Sequence, residues 1–94
     1  MATAEESADQ SGSVIDAGRV TIDAIDEEIC GLIRRRREVS LGLQQARMAA
    51  GESRISHARE NQVIASYRER LGKPGVTICL AVLELCRGAA NSAK

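Results

Sequence analysis

The feature that most constrains this chain is an apolar stripe too long for any domain the chain could build. From Val14 to Ala50, the residues Ile15, Ile22, Ile25, Ile29, Leu32, Val39, Leu43, Ala46 and Ala50 follow three- and four-residue steps, apart from a gap at Gly18. That spacing sets a heptad-like seam on one face of a single α-helix. At 1.5 Å per residue the seam runs for about 50 Å. The chain has 94 residues, which suits one small domain. A helix of this length cannot bury its stripe against its own chain, so a partner helix from a second copy is expected.

The rest of the chain adds two shorter helices. Gly51 should end the first, because glycine takes the left-handed conformation that closes helices. A loop, "GESRIS", follows, and Ser56 reads as the N-cap of a second helix that opens with His57, Ala58 and Arg59. Glu60, Ile64, Tyr67 and Leu71 share one of its faces. "GKPG", from Gly72 to Gly75, is a breaker. The stretch "VTICLAVLELCRGAA" is apolar nearly all round and predicts a buried third helix that frays near Gly88. No strand is expected. The fold class is all-α, with one long and two short helices.

The first residues, "MATAEESADQSGS", are polar and aperiodic, so residues 1–13 are expected to be a disordered leader, residues 14–90 the helical domain and residues 91–94 a flexible tail. The leader lacks the apolar centre of a secretory signal, and no apolar stretch is long enough to span a bilayer. A soluble, cytoplasmic chain is expected. It has no Phe, no Trp and one tyrosine, Tyr67, so its core would be marginal alone and oligomerisation would remedy that. Tyr67 is expected in the core and His57 on the surface. Cys30, Cys79 and Cys86 lie in apolar runs without C-x-x-C spacing or a neighbouring histidine, which predicts buried free thiols and no metal. A formal net charge of zero and the lack of aromatic platforms argue against a nucleic-acid binder.

The chemistry lies in the arginines. Within "RRRR", Arg36 takes a seam position between Leu32 and Val39, whereas Arg34, Arg35 and Arg37 fall off the stripe and are expected in solvent. Burying a guanidinium costs several kcal/mol unless it is paired. Arg47 projects within about 20° of Arg36 around the helix. Two cations on one face, with no acidic residue at a matching seam position, suggest a site for a small, multiply charged anion. Guanidinium forks fit carboxylates. The structural alternative is a register device or a side chain that snorkels to water along its stem. Glu60 faces inward from the second helix; it pairs with Arg36 or Arg47, or it accepts a hydrogen bond from a substrate hydroxyl. Arg19 lies about 100° around the helix from Arg36 and cannot easily serve the same cavity in its own chain. In an antiparallel dimer it could reach the partner's cavity.

Together, "IDAIDEEICGLIRRRREVS" and "ARMAAGESRISHARENQVI" resemble the all-helical, prephenate-forming chorismate mutase family over about Val14 to Arg87. The resemblance rests on the Ile-Asp-x-x-Asp-x-x-Ile opening, the Arg-Arg-x-x-Val block, Ala-Arg-Met and "HARE". The short third helix and the ending "LELCRG" look like the small actinobacterial-type intracellular branch. The resemblance implies an intertwined homodimer of three-helix chains, each long helix spanning both active sites. It also implies the Claisen rearrangement of chorismate to prephenate for phenylalanine and tyrosine synthesis. That unimolecular reaction needs no cofactor, metal or covalent nucleophile. Catalysis would hold a compact diaxial substrate and stabilise charge on the breaking ether oxygen.

The family's roles fall on this chain as follows. Arg36 would grip the enolpyruvyl carboxylate, and Arg19 of the other subunit the ring carboxylate. Arg47 would reach a carboxylate and the ether oxygen, Glu60 would bind the ring hydroxyl, and Arg59 would support the carboxylates. Ser56 stands where many relatives have an aspartate on the ring hydroxyl. The polar group that the family places late in the third helix has no firm counterpart; Arg87, Asn91 and Ser92 are the candidates. In the branch it resembles, a DAHP synthase partner activates a weak stand-alone enzyme. Within the fold, the alternatives are a 4-amino-4-deoxychorismate mutase and an isochorismate pyruvate lyase, with Ser56 and Glu60 as the discriminating positions. From a different class, the alternative is a non-catalytic helical dimer that serves as a binding module.

Overall fold

A computed structural model describes residues 3–88 of the protein. Three α-helices follow in order: α1, Thr3–Ala49; α2, His57–Leu71; and α3, Lys73–Arg87. The chain divides into two compact units, one up to Leu32 and one from Ile33 onward, so α1 contributes to both.

The first unit is the N-terminal part of α1. The helix opens at Thr3, where a non-helical leader up to Ser13 was expected. "TAEESADQ" lacks an apolar period, but its Ala, Glu and Gln have helix-favouring intrinsic propensities. Ile22 is 58% exposed and Ile25 47%, so the seam is uncovered here. Cys30 is exposed too, contrary to the buried thiol expected, because nothing in this unit lies over its face. Arg19 is exposed.

In the second unit α1 carries two distinct faces. Ile33, Arg36, Arg37, Ser40, Leu41, Gln44 and Arg47 are half-buried, at helical spacing. The predicted seam is not this stripe: Val39 is 64% exposed and Leu43 60%. Arg36 belongs to both patterns. Arg37, expected in solvent, is half-buried because the own-chain face is offset from the seam. Side chains carry α1 to α3: Gln44 Nε2 donates to the Cys86 carbonyl at 2.9 Å, and Leu41 lies against Gly88.

Local chemistry sets the helix ends. At the end of α1, Gly51 (φ 81) takes the left-handed conformation. The Glu52 N–H donates to the Arg47 carbonyl at 2.8 Å, and the Gly51 N–H to Met48 at 3.0 Å. This is the Schellman pattern. Ser56, in extended conformation, caps α2 by accepting from the Arg59 N–H at 3.3 Å. The breaker is narrower than "GKPG". Gly72 alone (φ 78) separates α2 from α3, and Lys73 and Pro74 already lie in the first turn of α3, where proline's missing N–H costs nothing.

The core sits on α3. Gly75, Cys79, Val82, Leu83 and Cys86 are buried along one face. A Cβ on Gly75 would lie 2.5 Å from the Tyr67 carbonyl oxygen, so the missing side chain is what lets α3 approach α2. The burial of α3 all round that was expected does not occur within one chain: Ile78, Leu80 and Leu85 are exposed. Tyr67 is half-buried and not a core residue, whereas His57 is exposed as expected. α3 ends at Gly88 (φ 82). The tail at 91–94, with Asn91 and Ser92, lies outside the described residues. Among the described residues, no helix is long and apolar enough to cross a membrane.

Gly75→Ala is expected to lower stability by about 1–3 kcal/mol, since the added methyl meets rigid backbone. The check is a fall in the urea midpoint at unchanged m-value.

Candidate active site

A cavity of about 180 Å³ opens within the second unit. From α1, Arg36, Ser40, Leu43, Gln44 and Arg47 line it on successive turns. The loop before α2 adds Arg54, Ile55 and Ser56, and the first turns of α2 add Arg59, Glu60 and Val63. Leu83, Cys86 and Arg87 close it from α3. The structure therefore gathers Arg36, Arg47, Ser56, Arg59, Glu60 and Arg87 around one space. Arg19 lies in the other unit and does not line this cavity.

Arg36 Nη1 donates to Cys86 Sγ at 3.1 Å. Among the described residues, no carboxylate lies within ion-pair distance of Arg36. Arg47 Nε donates to the Ser53 carbonyl at 2.9 Å, and its Nη1 lies 3.5 Å from Glu52 Oε1. The Glu52 side chain is 58% exposed, so water screens this pair and leaves most of the Arg47 charge effective.

The partner of Glu60 differs from expectation. Neither Arg36 nor Arg47 holds it; Arg87 Nη2 donates to Glu60 Oε1 at 2.9 Å. The one-residue junction at Gly72 turns α3 back along α2, which brings the last turn of α3 beside the first turn of α2. Among the described residues, Arg87 Nε is buried without a partner, an unused donor in the cavity wall.

Sequence reasoning passed over three residues. Arg54 sits in an aperiodic loop and donates through Nη1 to the Arg87 carbonyl at 3.3 Å. Gln44 lies two turns beyond Arg36 on the cavity face, a spacing that could have identified it. Cys86 was assigned only to the core. Ser56 Oγ is engaged in capping α2 while also lining the cavity.

Among the described residues, five that bear a guanidinium and a single carboxylate, Glu60, line this cavity. Such a site can hold a small dicarboxylate through forked hydrogen bonds and stabilise negative charge that develops on a bound oxygen. Close by, burial pushes the Cys79 thiol above its ordinary pKa of 9.0, partly offset by the Arg36 guanidinium and reinforced by Glu60.

The chorismate mutase type II family matches residues 18–81 of this chain. An intracellular chorismate mutase of Mycobacterium tuberculosis is 46% identical over 74 residues, covering 79% of this chain and 70% of that protein. One from Mycolicibacterium smegmatis is 43% identical, covering 79% and 71%. Among solved structures, a chain from a non-covalent complex of DAHP synthase and chorismate mutase from Corynebacterium glutamicum, with bound transition state analog, matches with a TM-score of 0.78. It is 32% identical, over 84% of this chain and 95% of that one.

The chain belongs to the chorismate mutase type II family. Its catalytic class is accordingly that of an isomerase, the chorismate mutases.

The raised Cys79 pKa makes a pH prediction. A folded-state value above the unfolded one contributes stability that is fully present below the unfolded pKa and lost as pH rises through the folded pKa. Stability should therefore fall as pH climbs above 9.0, the ordinary thiol value. Cys79→Val should flatten that fall, as read by urea midpoints at stepped alkaline pH.

Proposed function

We propose that this chain rearranges chorismate to prephenate, for phenylalanine and tyrosine synthesis, in the cavity between the α1 arginines and Glu60. The observation that carries this reading is the charge imbalance of the cavity: five arginines and one carboxylate around a space sized for a small molecule. Chorismate is a dicarboxylate with a ring hydroxyl. Arg36, without a carboxylate partner among the described residues, grips the enolpyruvyl carboxylate. Arg47 reaches a carboxylate and the ether oxygen, Arg59 supports the carboxylates, and Glu60 accepts from the ring hydroxyl. Arg47 matters most for rate, because its bond to the ether oxygen strengthens as that bond breaks.

The working unit of this proposal is an intertwined homodimer in the cytoplasm. The exposed α1 seam supports it: a second copy would cover Ile22, Ile25, Val39 and Leu43 and bring its Arg19 to the ring carboxylate. The relatives named intracellular chorismate mutases support the location.

Arg36→Ala and Arg47→Ala should each lower turnover by at least about 100-fold, as removal of a preorganised transition-state donor does elsewhere. Both should stay folded and dimeric: Arg36 has no carboxylate partner among the described residues, and the Arg47–Glu52 pair is solvent-screened and contributes little to stability. The assay is loss of chorismate absorbance, with circular dichroism and sedimentation on the same samples. Unfolding of both variants would instead make the two arginines structural. Offering 4-amino-4-deoxychorismate and isochorismate in parallel separates the three related activities.

A DAHP synthase is the proposed activating partner. Two observations support it. The Corynebacterium glutamicum neighbour comes from such a complex. In this chain alone, Glu60 is held by Arg87 and Arg47 by Ser53 and Glu52, so groups assigned to substrate are engaged by the protein. Adding the host's synthase should raise kcat/KM by about tenfold or more, equivalent to about 1.4 kcal/mol of barrier. Unchanged turnover would reject the partnership.

A further inference from the structure

We propose that Cys86 is a positioning residue for Arg36: its sulfur orients the guanidinium that grips a substrate carboxylate without supplying a counter-charge. This inference rests on the chorismate reading above and deepens it. Arg36 is a long, flexible side chain, and an unrestrained guanidinium would lose rotamer freedom each time substrate bound. In this structure Arg36 Nη1 donates to Cys86 Sγ at 3.1 Å. Cys86 is itself well fixed, being 3% exposed on the buried face of α3. Its carbonyl also accepts from Gln44 Nε2 at 2.9 Å, two turns along the α1 face that carries Arg36.

The type of acceptor matters. A carboxylate at position 86 would hold Arg36 more firmly but would neutralise the charge that attracts the substrate. Sulfur is a weak acceptor, so it occupies one of the five guanidinium N–H groups and leaves the others for a carboxylate. Cys86 was legible in the sequence only as a core thiol. The cavity places it at the wall, against Arg36, whose guanidinium has no carboxylate or carbonyl contact among the described residues.

The test is steady-state kinetics with chorismate for wild type, Cys86→Ala, Cys86→Val and Cys86→Ser, each checked for folding by thermal melting. Cys86→Val keeps core volume and decides the matter if Cys86→Ala does not fold. Loss of a weak acceptor should raise KM about three- to tenfold in the Ala and Val variants, with kcat within about twofold. Cys86→Ser, which restores an acceptor, should recover most of the loss. In an Arg36→Lys background, Cys86→Ala should have no further effect, because the two groups act as a unit. An unchanged KM in the Ala and Val variants overturns the proposal. So does a serine variant as impaired as alanine, or full additivity with Arg36→Lys. Failure of the wild-type protein to consume chorismate, with or without a DAHP synthase, overturns the chorismate reading itself and is seen separately from all of these.

Discussion

The structure depends on how a small fold tolerates several guanidinium groups around one cavity. Like charges brought together in a partly dry space repel, and desolvation adds to that cost. The described residues meet it with dipoles more than with counter-charges. Arg47 leans on the Ser53 carbonyl, Arg54 on the Arg87 carbonyl and Arg36 on a sulfur. Only Arg87 has a well-shielded carboxylate, Glu60. Because these contacts join α1, the connecting loop, α2 and α3, the residues that prepare the site also hold this unit together.

The second constraint is the apolar surface that a single chain leaves uncovered. Few side chains are fully buried, and all of those described lie on α3. The remaining Ile, Leu and Val of α1 and the outer faces of α3 are largely in water. In the proposed homodimer this surface would be covered by the second copy. The two faces of α1 divide the labour, one turned to its own chain and one to the proposed second copy. Arg36 sits where they meet, which explains why a seam count found it.

Most of the local structure could be read along the chain. The Gly51 ending, the Ser56 cap and the identity of three helices follow from neighbours within a few residues, where steric and hydrogen-bonding rules act directly. Arg36 and Arg47 were legible because a helix repeats its faces regularly. Glu60 was legible as an inward carboxylate, but its partner was not, since Arg87 comes beside it only after α3 turns back at Gly72. Arg54 carries no periodic or compositional mark, Gln44 is marked only by its helical spacing from Arg36, and Cys86 looks like any core thiol.

By itself, the amino-acid sequence determined that this chain is three helices, that one of them is too long to serve its own chain, and that cations project from one of its faces. Those properties depend on residue type and short-range spacing. Tertiary structure alone decided which cation meets which acceptor, and that the own-chain face of α1 is a different stripe from the seam. It also decided that the missing side chain at Gly75 is needed for α3 to approach α2. The physical reason is that an ion pair or a close backbone approach is a property of two distant positions, and no local preference of either residue encodes the other.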